Sequence, residues 1–230
     1  MEILFPTRGK NLRYPKGQVI QGFAENYDLY MRAVHLPGHN GWDIVPIQGY
    51  GEDILAPTDG TIVLLDFQGQ GYGNVIYMIS DEAQDEYKLL SILGHLTEEK
   101  IVKVGDKVKA GQVIGKMGNS GFVVSGNVAY WGQANPDKKG THLHITFKWL
   151  KPVASGEPFN TAYFGQEYFI KNVNNGWNGA FDPKTILGGS MIKFFRVNDH
   201  GKLGIMILEG FTGIVLFEDK MNEYITLQQI

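Results

Sequence analysis

Apolar positions along this chain recur in short runs bounded by turn residues, and helical periodicity is scarce. The clearest run spans residues 141–149, Thr-His-Leu-His-Ile-Thr-Phe-Lys-Trp, whose β-branched and aromatic content predicts a strand. Successive side chains of a strand point to opposite faces, so His142 and His144 share one face while Leu143 and Ile145 share the other, toward a core. A second short strand is expected at Ile44 and Val45, ahead of Pro46. The most helix-compatible stretch, residues 80–86, is polar and short, and reads as one turn of helix or a loop. After Gly188 the pattern changes. Residues 191–197, 202–208, 213–217 and 224–227 read as four strands, with turns at 198–201 and 209–213, and predict a small β-meander.

Composition supports many short strands joined by tight turns, since 30 of the 230 residues are glycine. The length suits one domain with its own core plus a small appendage. A formal net charge of −3 with no basic run disfavours a nucleic-acid partner. No apolar run is long enough to span a membrane, and there is no low-complexity segment. The absence of cysteine suits an extracellular or virion protein without disulfides, and suits a cytosolic one as well. The first residues show no signal peptide: the apolar run is short and Glu2 is acidic.

The candidate chemistry lies in three segments: His39-Asn-Gly-Trp-Asp43, Gly94-His95-Leu96 and Thr141-His142-Leu143-His144. Alone, each has a bland reading. A His-x-His on a strand is often a half-exposed polar face, and a His-x-x-x-Asp is common by chance. Together they supply nitrogen and oxygen ligands for one zinc ion, with two imidazoles left for acid–base work. A catalytic zinc takes three protein ligands and keeps one position open. Pro37, Gly38 and Gly41 make a helical His39/Asp43 pair implausible and put both on a loop leading into a sheet. His35 reads as a spare loop histidine, and His200, inside a hairpin-turn signature, has no assigned role.

The glycine punctuation around these segments makes the pattern specific. Residues 21–23 resemble a leading strand, and His39-x3-Asp43-Ile44 a first metal motif. Residues 54–63 resemble a strand–turn–strand, 71–76 the next hairpin, and Gly94-His95-Leu96 a second histidine motif. Residues 104–115 resemble a further hairpin, followed by Gly118-Asn119-Ser120-Gly121. Gly140-Thr141-His142-Leu143-His144 resembles the final metal motif, and residues 181–183 the segment that closes the domain. In this order the chain resembles the lysostaphin-type zinc metallopeptidases, the peptidoglycan endopeptidases with the duplicated hybrid motif fold, over residues 17–188. The resemblance implies an antiparallel, mainly β fold, a sheet or sandwich with long loops. It implies one zinc ion per chain on His39, Asp43 and His144, with His95 and His142 as non-ligand catalytic histidines. It implies hydrolysis of peptide bonds in stem peptides or cross-bridges of bacterial peptidoglycan. Zinc would activate the water, and the two imidazoles would move its proton and stabilise the oxyanion.

The chain departs from the family pattern in three places. A tyrosine is expected shortly before the second histidine motif, where Ser91-Ile92-Leu93 stands and Tyr87 lies further upstream. Insertions occupy about 122–139 and 152–179 and are rich in aromatics. These aromatics either line a groove or pack beneath the loops, and Tyr130 and Trp131 are the candidates for a groove wall. The division expected is a peptidase domain over 1–188 and a β-rich unit over 189–230 that docks on cell wall, a virion component or another copy. With no export signal, a wall-cutting enzyme of this kind suits a phage product carried by a virion or released through a holin, acting outside the cell. Two other readings compete. One is a catalytically inactive peptidase-like module that binds cell wall or builds a virion, although all five positions are present. The other is a biotinyl, lipoyl or phosphocarrier domain, suggested by residues 104–115, which lack a modifiable lysine in the right context and leave Asp43 unexplained.

Overall fold

The computed structural model describes residues 1, 3–7, 19–134, 136–153, 163–187, 191–193, 204–209 and 212–217. In chain order the first elements are β1 (Val19–Gln21), α1 (Tyr27–Val34), β2 (Trp42–Ile44), β3 (Asp53–Leu55), β4 (Gly60–Gln68), β5 (Gly73–Gln84) and β6 (Tyr87–Leu96). Then come β7 (Lys107–Val108), β8 (Val113–Lys116), β9 (Val123–Ser125), β10 (Val128–Tyr130) and β11 (Leu143–Pro152). The rest are β12 (Tyr163–Phe164), β13 (Tyr168–Ile170), β14 (Ala180–Phe181), α2 (Lys184–Leu187), β15 (Met191–Lys193), β16 (Gly204–Glu209) and β17 (Thr212–Phe217). Among the described residues every strand pair is antiparallel, as expected.

The main sheet runs β1-β2-β11-β6-β5-β4-β7. One edge of β11 pairs with β6, while the other meets β2, then β14, then β13. Two apolar clusters cover the two faces of the sheet. Leu143, Ile145 and Phe147 of β11 enter the larger core beside Leu89 and Leu93 of β6 and Ile76 and Met78 of β5. Leu90 and Ile92 of β6, Val75 and Ile79 of β5, and Leu150 of β11 form a second cluster with Ile170. By the strand period of two, Leu150 shares its face of β11 with His144 and Thr146. That face thus carries an apolar cluster at one end and the histidines at the other.

Several elements differ from the sequence expectation. The polar stretch at 80–86 is neither helix nor loop at its start: β5 runs on to Gln84, and only Asp85 and Glu86 turn, Asp85 at φ 56°. Long β-hairpins can extend past the core, where polar side chains meet water on both faces, so alternation disappears. The segment 104–115 is not a self-paired hairpin. Its strands β7 and β8 pair with β4 and β3 instead, stapling the turn between those two strands. A helix, α1, stands where none was expected, and none of its residues is buried. The insertion at 122–139 contains the β9–β10 hairpin, and the described part of the second insertion contains β12–β13. In the tail, β15, β16 and β17 form a three-stranded antiparallel sheet; the expected strand at 224–227 and His200 lie outside the described residues. No helix among the described residues is long and apolar enough to cross a membrane.

Candidate metal centre

Three adjacent strands deliver the site. On β11, His144 is the cross-strand neighbour of Asp43 on β2 and of Gly94 on β6, with His95 one residue on. Directly opposed side chains have Cβ atoms about 5 Å apart, close enough for a carboxylate and an imidazole to meet. His39 enters from the loop before β2. That loop lies against β11 so closely that a Cβ on Gly41 would sit 2.2 Å from the Ile145 carbonyl oxygen and 3.0 Å from His144 Nε2, so only glycine fits. Gly94 similarly makes room for Tyr72, whose Cβ would lie 3.1 Å from an added methyl.

The result is a compact donor cluster. His39 Nε2 and His144 Nδ1 are 2.8 Å apart. Asp43 Oδ1 lies 3.1 Å from the first and 3.0 Å from the second. His142 Nε2 is 3.6 Å from the same oxygen. The His95 and His142 rings stand 4.5 Å apart, centroid to centroid. All five side chains are buried. His95 adopts φ 59°, a left-handed backbone uncommon for any residue but glycine and typical of positions held by function rather than by propensity.

The far nitrogens of the rings fix the tautomers. His39 Nδ1 donates to the Gly22 carbonyl at 3.0 Å, His95 Nδ1 to the Ser120 carbonyl at 2.7 Å, and His142 Nδ1 to the Gly140 carbonyl at 2.7 Å. A carbonyl only accepts, so each of these nitrogens carries the ring proton. His144 Nε2 lies 2.8 Å from Thr146 Oγ1, whose hydrogen can go to the Asn40 carbonyl at 3.2 Å and leave the oxygen free to accept from the ring. In that arrangement the inner nitrogens of His39 and His144 converge with the Asp43 carboxylate, as the ligands of a cation do.

Burial and the neighbouring groups act together on the charges of the cluster. Burial pushes His144 down to about 4, against the pull of Asp43. Burial, reinforced by His142 and His144, holds His95 well below the usual imidazole range. Burial alone would raise the Asp43 carboxyl, but the facing imidazoles of His142, His144 and His39 outweigh it and hold it well below the usual range. Buried His95 and His144 rings that resist protonation, beside an ionised Asp43, are an environment that a cation satisfies. Among the described residues, His39, Asp43 and His144 form the one group of three able to hold a metal ion. Atoms 2.0–2.2 Å from a tetrahedral zinc lie about 3.4 Å apart, so separations of 2.8–3.1 Å need to open only slightly.

Asp43, His95, His142 and His144 line a cavity of about 420 Å³. One wall is Ile20, Gln21, Leu29 and Tyr30 from β1 and α1; the other is residues 122–126, from β9 and its flanks. Tyr130 pairs with Val123 in the hairpin behind that wall, and Trp131 rests against Phe122, 5.5 Å between centroids, and is 60% exposed. A larger hollow of about 540 Å³, bounded by Leu65, Phe67, Leu96 and Ile101 among others, contains none of the histidines and has no such chemistry. His35 caps the end of α1 at φ 57°, exposed and outside the cluster.

Sequence reasoning missed four polar partners. Tyr72 packs 5.0 Å from the His144 ring, its hydroxyl accepts from Asn40 Nδ2 at 2.7 Å, and its carbonyl accepts from the His95 backbone N–H at 2.6 Å. Tyr30 lies 5.2 Å from the His39 ring, and burial and Asp43 raise its hydroxyl pKa. These two tyrosines flank the site although none stands just before His95. Thr146 was legible in principle, being two residues past His144 on the same face of the strand.

The chain is similar to several known proteins. Glycyl-glycine endopeptidase ALE-1 of Staphylococcus capitis is 29% identical over 122 residues; the match takes in 53% of this chain and 32% of that protein, so the chain spans about a third of its length. Among solved structures, the catalytic domain of the antimicrobial peptidase lysostaphin from Staphylococcus simulans is 24% identical, with a TM-score of 0.45 over 76% of this chain and 93% of that one. LytU is 23% identical, with a TM-score of 0.46 over 75% and 85% of the two chains. The sequence profile of Peptidase family M23 matches residues 37–160, which hold all five site residues and more than half of the chain, and the protein belongs to that family.

Proposed function

We propose that the chain is a zinc-dependent endopeptidase that cuts peptide bonds in bacterial peptidoglycan. The observation that carries this reading is the convergence of three ligand atoms, with two further imidazoles beside them, in one open cavity. His39 Nε2, Asp43 Oδ1 and His144 Nδ1 would hold the ion. A bound zinc supplies a water acidified to a pKa near 7 and a Lewis acid for the scissile carbonyl.

The remaining work falls to His95 and His142. Each ring is anchored through its Nδ1–H to a backbone carbonyl, which leaves its Nε2 free to accept a proton. One imidazole would take the proton of the attacking water at Nε2 and hand it to the departing amine; the other, carrying a proton taken up from solvent on its Nε2 before attack, would donate to the developing oxyanion. Burial keeps bulk water from competing for these nitrogens.

The cavity walls bear on the substrate. Among the described residues, the apolar side chains of Ile20, Leu29, Phe122, Val123 and Val124 form much of these walls, which suits an uncharged internal peptide segment. The ALE-1 relative, a glycyl-glycine endopeptidase by name, supports a wall peptide as substrate. Action on the wall places the enzyme's work outside the target cell's membrane. Mass spectrometry of fragments released from purified peptidoglycans, some with glycine cross-bridges and some with direct cross-links, tests the proposal. New amino termini within a bridge or stem peptide are expected from at least one type. Intact material from all of them contradicts it.

A further inference from the structure

The polar groups behind His144 form a closed network that joins both ligand-bearing segments. Asn40 lies on the loop between His39 and Asp43. Its side chain donates to the Tyr72 hydroxyl at 2.7 Å, and its carbonyl accepts from Thr146 Oγ1 at 3.2 Å. Tyr72 also hydrogen-bonds Thr146, which in turn faces His144 Nε2 at 2.8 Å. Thr146 is fully buried, so no water can take its place at low cost. With its hydrogen on the Asn40 carbonyl, the hydroxyl turns its lone pairs toward the ring.

We propose that Thr146, held by Asn40 and Tyr72, is a positioning residue that fixes His144 as its Nε2–H tautomer and keeps Nδ1 bare for the metal. The inference deepens the metallopeptidase reading and rests on it for its consequence, but the tautomer itself exists without an ion. An apolar side chain at 146 strands the Nε2–H in a dry site and makes the other tautomer, with its proton turned into the cluster, competitive. Partners of this kind typically affect metal affinity 10- to 100-fold. The network also couples the two segments. Because Asn40 is bound at both its side chain and its carbonyl, the loop carrying His39 and the strand carrying His144 are located relative to one another before any ion arrives.

Nitrogen-detected NMR of the His144 ring in metal-free protein at neutral pH, together with zinc affinity measured by chelator competition, tests this. The parent should show a protonated Nε2 and a bare Nδ1. Thr146→Val, nearly equal in shape, should give mixed tautomers and bind zinc 10- to 100-fold more weakly. Thr146→Ser should restore both, and Tyr72→Phe should lie between. A Thr146→Val ring that keeps the parent's tautomer overturns the proposal, whatever its thermal stability. A parent that shows the expected tautomer yet binds no zinc would instead contradict the metal-site reading and leave the positioning role standing.

Discussion

At residue 41 a single methyl group has no room, because the loop carrying His39 and Asp43 rests on the backbone of the strand that carries His144. Gly41→Ala should therefore cost about 1–3 kcal/mol as overpacking and lower zinc occupancy as well, read by thermal denaturation and elemental analysis of one preparation. Loss of stability with full zinc would mean that the loop is not what holds the ligands together. His95→Ala and His142→Ala should separate metal from catalysis. Both should retain zinc and fold while losing on the order of 100- to 10,000-fold in turnover, and loss of zinc from either would move that histidine into the ligand set. His39, Asp43, His95, His142 and His144 were all legible in the sequence because each sits in a short motif with its own spacing. Their partners were not. The Gly22, Ser120 and Gly140 carbonyls that orient three of the rings carry no side-chain signature, and Asn40 and Tyr72 reach Thr146 only when β2, β11, β6 and β5 pair.

Among the elements, β11 was the most legible, since alternating polar and apolar residues on a half-buried strand leave a direct pattern. Its apolar face packs into the larger core through Leu143, Ile145 and Phe147. Phe147 is fully buried in the larger core, so Phe147→Ala should cost about 3–5 kcal/mol, seen as a lower denaturation midpoint. α1 was illegible because it has eight residues, none of them buried, and no side-chain cap at its left-handed Asn26. It persists as one wall of the site. The opposite wall, β9 and its neighbours, was expected at Tyr130 and Trp131, but Phe122, Val123 and Val124 are the apolar side chains that line the cavity. Val124→Asp should raise KM several-fold with little change in kcat, in steady-state assays on a soluble wall peptide. An unchanged KM would remove β9 from substrate contact.

For the whole molecule, one face of the central sheet is closed by a core, and the other is split between a smaller core and the histidine cluster. The rigidity needed to hold bare imidazole nitrogens near one carboxylate comes from that double burial. We expect residues 1–188 to be the catalytic unit and residues 189–230 to serve docking. A chain ending at Gly188 should still cleave soluble peptides and lose binding to intact walls, and an insoluble truncated protein would make the tail part of the fold instead. Catalysis should depend on one zinc held by His39, Asp43 and His144. Stoichiometric titration of zinc into metal-stripped protein, followed by release of peptides from peptidoglycan, measures that dependence. Activity should rise linearly and break at one zinc per chain, and an Asp43→Ala, His144→Ala double variant should neither take up the ion nor cleave. Full activity in the stripped protein, or a double variant that still binds one zinc, would contradict the account.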